Sequence, residues 1–436
     1  MSSSKSVPGA AGEHFLRRLR LLGCRPAALL DYIAVFAILT AAVAPAFYLV
    51  FSAWGTRSTT ALWERSFIEA IGSSLAAAAC VCAGSFAIGF PLGLLSSLYR
   101  FPARRALILY QILPLLFPSF LLAIGWSNLR VASALPLPGG KWGTPFVFVF
   151  QAVPLVFFTT LAACGALTAS QIEVARLHGG ERCVLLGAAR SAAPPAVLAA
   201  FLGGILSLSD PGAPLIFGGR PAAVHVLTSF SALYDFALAA KQCLILAGIV
   251  LALVLPSFVF GLPVLAAALL ARQVRAPRPL PHRALGLLCC FGLGAVLAAG
   301  VLGPSVGLFL PALKNPSFGR ALLEVKKTAL DTLLYAGGAA FVCSVLALAL
   351  ALVSGRRWGL RLFVMGVLLG TLSLPPALGA LGMVQLASNA PPQLDWLTRS
   401  RLAVVLVQGL HFLPIGALVM FRAVSSLSPS LSEAAI

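Results

Sequence analysis

Apolar stretches of about twenty residues recur along the whole chain, and nothing else constrains its fold as strongly. A run such as 236–271 offers water no polar face and carries a single charged residue before its end, Lys241. A helix apolar all round must lie in a protein core or in a bilayer. With sixty per cent hydrophobic and only 10% charged residues, the chain is not an ordinary soluble domain. The expected fold is all-α and polytopic, with ten spans at 32–53, 70–97, 106–127, 144–168, 193–213, 236–271, 284–310, 328–353, 361–386 and 402–422. Spans longer than about twenty residues are expected to tilt or to project beyond the bilayer.

The net charge of +19 invites a nucleic-acid partner, but its distribution argues against one. The basic residues sit in short loops between apolar runs: Arg100, Arg104 and Arg105; Arg176, Arg182 and Arg190; Arg272, Arg275, Arg278 and Arg283; Arg356 and Arg357. Short cytoplasmic loops retain Lys and Arg, so this alternation predicts a cytoplasmic N-terminus. The cytoplasmic stretches are then 1–31, 98–105, 169–192, 272–283, 354–360 and 423–436, with "KNPSFGRALLEVKK" as an exception on the opposite side. The first apolar run is too long for a signal peptide, and Pro45 directly follows the one cleavage-like "AVA", so it reads as an uncleaved span. Nine cysteines fall mostly inside apolar runs, without metal-site spacing, as small core hydrophobes do.

The chain carries an internal repeat. At an offset of 260, Pro154 meets Pro414, Ala163 meets Ala423, Leu167 meets Leu427, and Ser170, Glu173 and Ala175 meet Ser430, Glu433 and Ala435. At an offset of 258, Leu75 meets Leu333 and Pro118 meets Pro376. Their order within matched spans points to duplication, with copy one over about 66–272 and copy two starting near Lys326. The organisation expected is a cytoplasmic segment 1–31, a first half 32–283 and a second half 284–436.

The segment 169–192 carries the chemistry. Small residues at Val174 and Ala175 let a short helix press against another surface, and Gly179 and Gly180 permit a sharp turn into a second helix. Glu173 suits the positive end of a helix dipole. Such a helix–turn–helix is a rigid handle for a grooved partner, although a loop that merely joins two spans accounts for the same residues.

The stretch Glu173, Val174, Ala175 and Gly179 resembles the cytoplasmic Glu-Ala-Ala loop of ABC-transporter inner-membrane permeases, with Val174 in place of the first alanine. Glu433, Ala434 and Ala435 match the opening of a second such loop in full. "PAVLAAFLGGILSLSDPGAPLIFGG", "SSLAAAA", "DTLLYAGG" and "LPLLFPSFLLAIGW" are similar to segments of permeases of the ferric-iron type, which fuse two halves in one chain. The likeness runs from about Ser66 onward. The "ARSA" at Ala189–Ala192 departs from the Ile-x-Leu-Pro that closes the family's loop. The resemblance implies two type I importer halves in a bacterial inner membrane, the second incomplete. It implies docking of the loop on separate cytoplasmic ATPase subunits, cargo delivered by a periplasmic binding protein, and no cofactor of the chain's own. Ferric iron is the cargo implied, with thiamine or phosphonate as alternatives. No G-x-x-x-x-G-K-[ST] occurs, so hydrolysis is expected in the partner. The chain reaches only "SLSEAAI" of the second loop, which leads to the expectation of a cut second half: ten spans where twelve complete the pattern.

Asp210, Pro211 and Gly212 form a break inside an apolar region and are candidates for the substrate path, or else an acid at a helix end. Glu69, Asp331 and Lys241 fall near span ends, His178 in the loop, and His411 beside Pro414 within a span. A secondary transporter is the nearest rival class, but scarce mid-span acids disfavour it. A membrane enzyme needs a cluster of His, Asp or Glu that the pattern lacks.

Overall fold

The computed structural model describes residues 32–44, 48, 63–133, 139–165, 167–270, 280–314, 318–354, 357–373, 375–389 and 392–426. Among these, every regular element is a helix apart from one isolated bridge between Tyr99 and Leu280. The expected segment 1–31 and the triplet Glu433, Ala434 and Ala435 lie outside the described residues.

The chain begins with α1 (Tyr32–Ala44) and α2 (Arg65–Leu98), then breaks into α3 (Arg104–Tyr110), α4 (Leu113–Leu116) and α5 (Ser119–Ser133). Next come α6 (Gly143–Cys164), α7 (Ala169–Leu208), the short α8 (Gly212–Phe217) and α9 (Ala222–Ser231), and α10 (Phe236–Leu270). A second series follows: α11 (Arg283–Leu297), α12 (Gly303–Lys314), α13 (Phe318–Ser354), α14 (Trp358–Ser373), α15 (Pro376–Asn389), α16 (Asp395–Thr398) and α17 (Arg401–Ser426). Among the described residues, seven helices are long and apolar enough to cross a membrane, or eight if the bent pair from Arg104 to Ser133 is one span. The protein is therefore a multi-pass, all-α membrane protein. Exposed Phe291, Leu333, Phe341 and Phe363 belong on its lipid-facing exterior.

Two of the ten expected spans take another form. Of the first, 32–53, the structure describes the apolar helix Tyr32–Ala44 and residue 48, and the rest lies outside the described residues. The third bends by 97° between Arg104–Leu116, which holds α3 and α4, and Ser119–Ser133, which is α5. The cause is Pro118, which forces the preceding Phe117 out of the helical region (φ −78°, ψ 132°). Backbone freed inside an apolar region needs a partner, and Gln151 of α6 donates to the Phe117 carbonyl at 3.0 Å. The ninth is split into α14 and α15 at Pro375 and Pro376. Elsewhere interruptions are absorbed: a π-turn over Ala298–Leu302 joins α11 to α12, and the Trp126 indole donates to the Ala299 carbonyl at 3.2 Å.

Glycine decides how closely the helices approach. Along α2 and α6, a Cβ on Gly84 would lie 2.7 Å from a Val149 methyl, and one on Gly89 would lie 2.9 Å from Val156 Cβ. Along α13 and α17 a Cβ on Gly409 would lie 3.1 Å from Val342, and one on Gly416 would lie 3.2 Å from Ala347. Offsets of 258 on the first helix and 260 on the second carry Gly84 and Val149 onto Val342 and Gly409, and Gly89 and Val156 onto Ala347 and Gly416. The same contacts recur with the glycine moved to the opposite helix.

The leading helices cross over. Val35 and Leu39 of α1 pack with Leu350, Met365, Leu413 and Phe421 of the second series. Cys289, Leu293 and Val296 of α11 pack with Leu92, Val153 and Phe157 of the first.

Candidate functional site

Residues 169–192 form the helix–turn–helix that the glycine pair predicts. Thr168 caps α7: its hydroxyl accepts from Gln171 N at 3.3 Å, and Gln171 Oε1 accepts from Thr168 N at 3.0 Å. The helix from Ala169 stops at Gly179 (φ −169°, ψ 25°) and Gly180 (φ 64°, ψ −153°) and resumes at Glu181. Gly180 lies in backbone space that only glycine enters cheaply, so Gly180→Val is expected to cost about 1–3 kcal/mol. Thermal unfolding of the detergent-solubilised chain checks this, and an unchanged midpoint contradicts it. At the end of the first helix, His178 Nδ1 donates to the Val174 carbonyl at 2.9 Å, satisfying one of the carbonyls that a helix end leaves open.

The short helix has two faces. Inward, Ile172 is buried and Ala175 half-buried against Leu94 and Leu98 of α2, Tyr99 just beyond it, and Val184 and Ala188 of α7. Outward, Glu173 is exposed, Val174 is 54% exposed and Leu177 is 86% exposed. Leu177 falls on the face of Glu173 and Val174 by i+3 and i+4 spacing, a signal the sequence held but the motif alone did not flag. The second helix runs unbroken through Ala189–Ala192, so the departure at "ARSA" does not interrupt it.

A polar node ties this element to the start of the second series. Glu181 Oε1 meets Arg176 Nη2 at 3.4 Å, and Glu181 Oε2 meets His282 Nε2 at 3.5 Å. His282 Nδ1 accepts from Leu285 N at 3.3 Å, capping α11, so its ring proton sits on Nε2 and faces Glu181. Beside it Leu280 N donates to Leu98 O at 2.7 Å and Arg100 N donates to Leu280 O at 3.0 Å. Nothing in the sequence pattern marks this node, because its members come from three separate segments.

The Tyr99 ring packs edge-on to His282, with centroids 5.7 Å apart. Burial first, then the Glu181 carboxylate, push its phenol above the usual tyrosine range. The buried Tyr99 hydroxyl has no hydrogen-bond partner among the described residues. Tyr99→Phe is therefore expected to be neutral or stabilising by up to about 1 kcal/mol in thermal unfolding, and a loss contradicts an unpartnered hydroxyl.

Asp210 is half-buried and its Oδ1 accepts from the N–H of Gly212, the first residue of α8, at 2.7 Å. Gly212 seats that helix on α5, where a Cβ would come within 2.6 Å of Ser119 Oγ. Pro211 joins the two helices. Glu173, Val174, Ala175, Gly179 and Gly180 come together in one element, and the Asp210–Gly212 break lies beyond the far end of the same α7. Among the described residues no group of three His, Cys, Asp or Glu is placed to hold a metal. No family model, curated protein or solved structure matches the chain.

Proposed function

We propose that this chain is the membrane-spanning subunit of an ATP-driven, binding-protein-dependent ABC importer, similar to the fused ferric-iron permeases. The observation that carries the reading is the two-faced helix at Ala169–His178: buried by Ile172, stopped by a glycine pair, and outwardly apolar at Val174 and Leu177 beside Glu173. In this reading that face is cytoplasmic, like the N-terminus, and docks a separate ATPase subunit in a bacterial inner membrane. A periplasmic binding protein delivers ferric iron to the opposite side, and Asp210, Pro211 and Gly212 line the route. Glu433, Ala434 and Ala435 open the second docking loop.

Two further observations support two permease halves. The glycine contacts of α2 with α6 reappear, at matched positions, between α13 and α17. The broken third span and the split ninth place their breaks at Pro118 and at Pro375–Pro376, which the 258 offset brings together.

The mechanical argument is short. A push on the Ala169–His178 helix reaches α2 through Ile172, the rest of α7 through the Gly179–Gly180 turn, and α11 through Glu181 and His282. ATP-dependent closure of the partner thus acts on three spans at once, and any difference in docking between two states shifts their balance. Hydrolysis belongs to the partner. The test is co-purification of an ABC ATPase subunit from the same genome with the detergent-solubilised chain. Retention that changes with ATP is expected; no retention with or without nucleotide sinks the reading.

A further inference from the structure

We propose that His282 is a proton-sensitive relay between the Ala169–His178 element and α11: the neutral ring holds both sides, and the charged ring lets go of α11. That the element docks an ATPase rests on the functional reading above, whereas the exchange of contacts rests on the node alone.

The ring stands between two partners with different needs. His282 is the N-cap residue of α11, and its Nδ1 accepts from Leu285 N at 3.3 Å. Its Nε2 lies 3.5 Å from Glu181 Oε2. A neutral imidazole protonated on Nε2 serves both at once, as donor to the carboxylate and acceptor for the helix. An imidazolium donates from both nitrogens and has no lone pair left for a cap. Its charge also opposes the positive end of the α11 dipole, while Glu181 favours it. One proton therefore exchanges a helix cap for a full ion pair, and the ring cannot keep both contacts.

The surroundings leave the two sides near balance. The Glu181 and His282 side chains are each about a third exposed. An exposed ion pair and a helix cap each shift an equilibrium only a few-fold, so neither overrides the other. Among the described residues, Arg176 shares the Glu181 carboxylate from α7, and Tyr99 packs edge-on from just beyond α2. Arg283, next in the chain, is exposed, and Arg104 of α3 donates to the Ser96 carbonyl at 2.8 and 3.0 Å. Histidine is the side chain whose charge changes between about pH 5 and 8. The backbone around the ring is held independently: Leu280 N donates to Leu98 O, and Gly286 N to His282 O at 2.9 Å. The exchange is thus confined to the first turn of α11, where the Leu285 N–H precedes any intrahelical acceptor. Deeper in, Cys289, Leu293 and Val296 fasten α11 to α2 and α6. Acidification therefore weakens the α11 arm of the push and leaves the α2 arm through Ile172 intact.

The test uses the full chain in nanodiscs with ¹⁵N-labelled histidine. The sequence has five histidines, and the signal lost in His282→Asn identifies the one of interest. At pH 8 that signal should report a proton on Nε2 alone, and at pH 5.5 on both nitrogens. Hydrogen exchange at the Leu285 amide, corrected for the intrinsic effect of pH, should quicken about fivefold from pH 8 to 5.5, the factor a helix cap supplies. His282→Asn caps without titrating and should show no such change. Glu181→Gln should lower the ratio of charged to neutral ring about threefold at any pH within the titration. A proton on Nδ1 at pH 8, equal Leu285 protection at both pH values, or a quickening that persists in His282→Asn overturns the proposal. Should the Asn chain fail to fold, His282→Gln identifies the signal and removes the titration equally. No ATPase is present in the sample, so this inference and the transport reading fail separately.

Discussion

Replacing Leu177 with glutamate is expected to remove ATPase docking while leaving the membrane fold intact. Leu177 is 86% exposed and sits with Val174 on the outward face of the short helix, where it stabilises nothing within the chain. Apolar residues so exposed on a rigid, anchored element are the pattern of an interface anchor, and truncating such anchors costs about 2 kcal/mol or more, roughly thirtyfold in affinity. A carboxylate placed there must also be desolvated on docking, which adds to the loss. Because the side chain packs on no neighbour inside the fold, thermal unfolding of the variant should stay within about 0.5 kcal/mol of wild type. Ile172→Glu gives the opposite signature. Ile172 is buried against α2 and the second part of α7, so a charge there destabilises the fold itself. Co-purification of the ATPase subunit with each variant, beside its unfolding midpoint, separates the two faces. A Leu177→Glu chain that still retains the ATPase at wild-type strength would falsify the docking assignment.

The second large effect concerns the helix crossings. Gly84→Val should destabilise the chain by about 3 kcal/mol, because its new Cβ falls 2.7 Å from a Val149 methyl and both residues are branched and stiff. Val149→Gly, made in the same chain, should recover most of that loss. The double variant recreates in α2 and α6 the arrangement that α13 and α17 already use, with Val342 facing Gly409. A double-mutant cycle on thermal unfolding measures the coupling directly. Additive losses, with no rescue, would mean that the matched contacts of the two helix pairs are not interchangeable, and the support they lend to duplication would be withdrawn.

Much of this protein was legible before its structure. Uninterrupted apolar runs such as Cys243–Leu255 favour a helix, because a helix satisfies every N–H and C=O within the segment where water is absent. The Gly179–Gly180 pair likewise fixed a turn, since one of the two residues needs positive φ and glycine supplies it at little cost. Pro118 announced a discontinuity through its effect on Phe117, although the 97° bend and the Gln151 partner that tolerates it needed coordinates.

What the tertiary structure alone decided are relations between segments far apart in sequence. That Leu177 faces outward while Ile172 faces in depends on where α2 passes, which no local pattern encodes. The Glu181–His282–Tyr99 node draws its members from three segments. The crossing-over of α1 and α11 and the exchange of glycine between helix partners are set by which spans meet. The physical reason is that helix formation in an apolar medium is a local accounting of backbone hydrogen bonds, whereas helix association is a contest of shape among faces that are all apolar. Hydropathy decides the first and is nearly silent on the second.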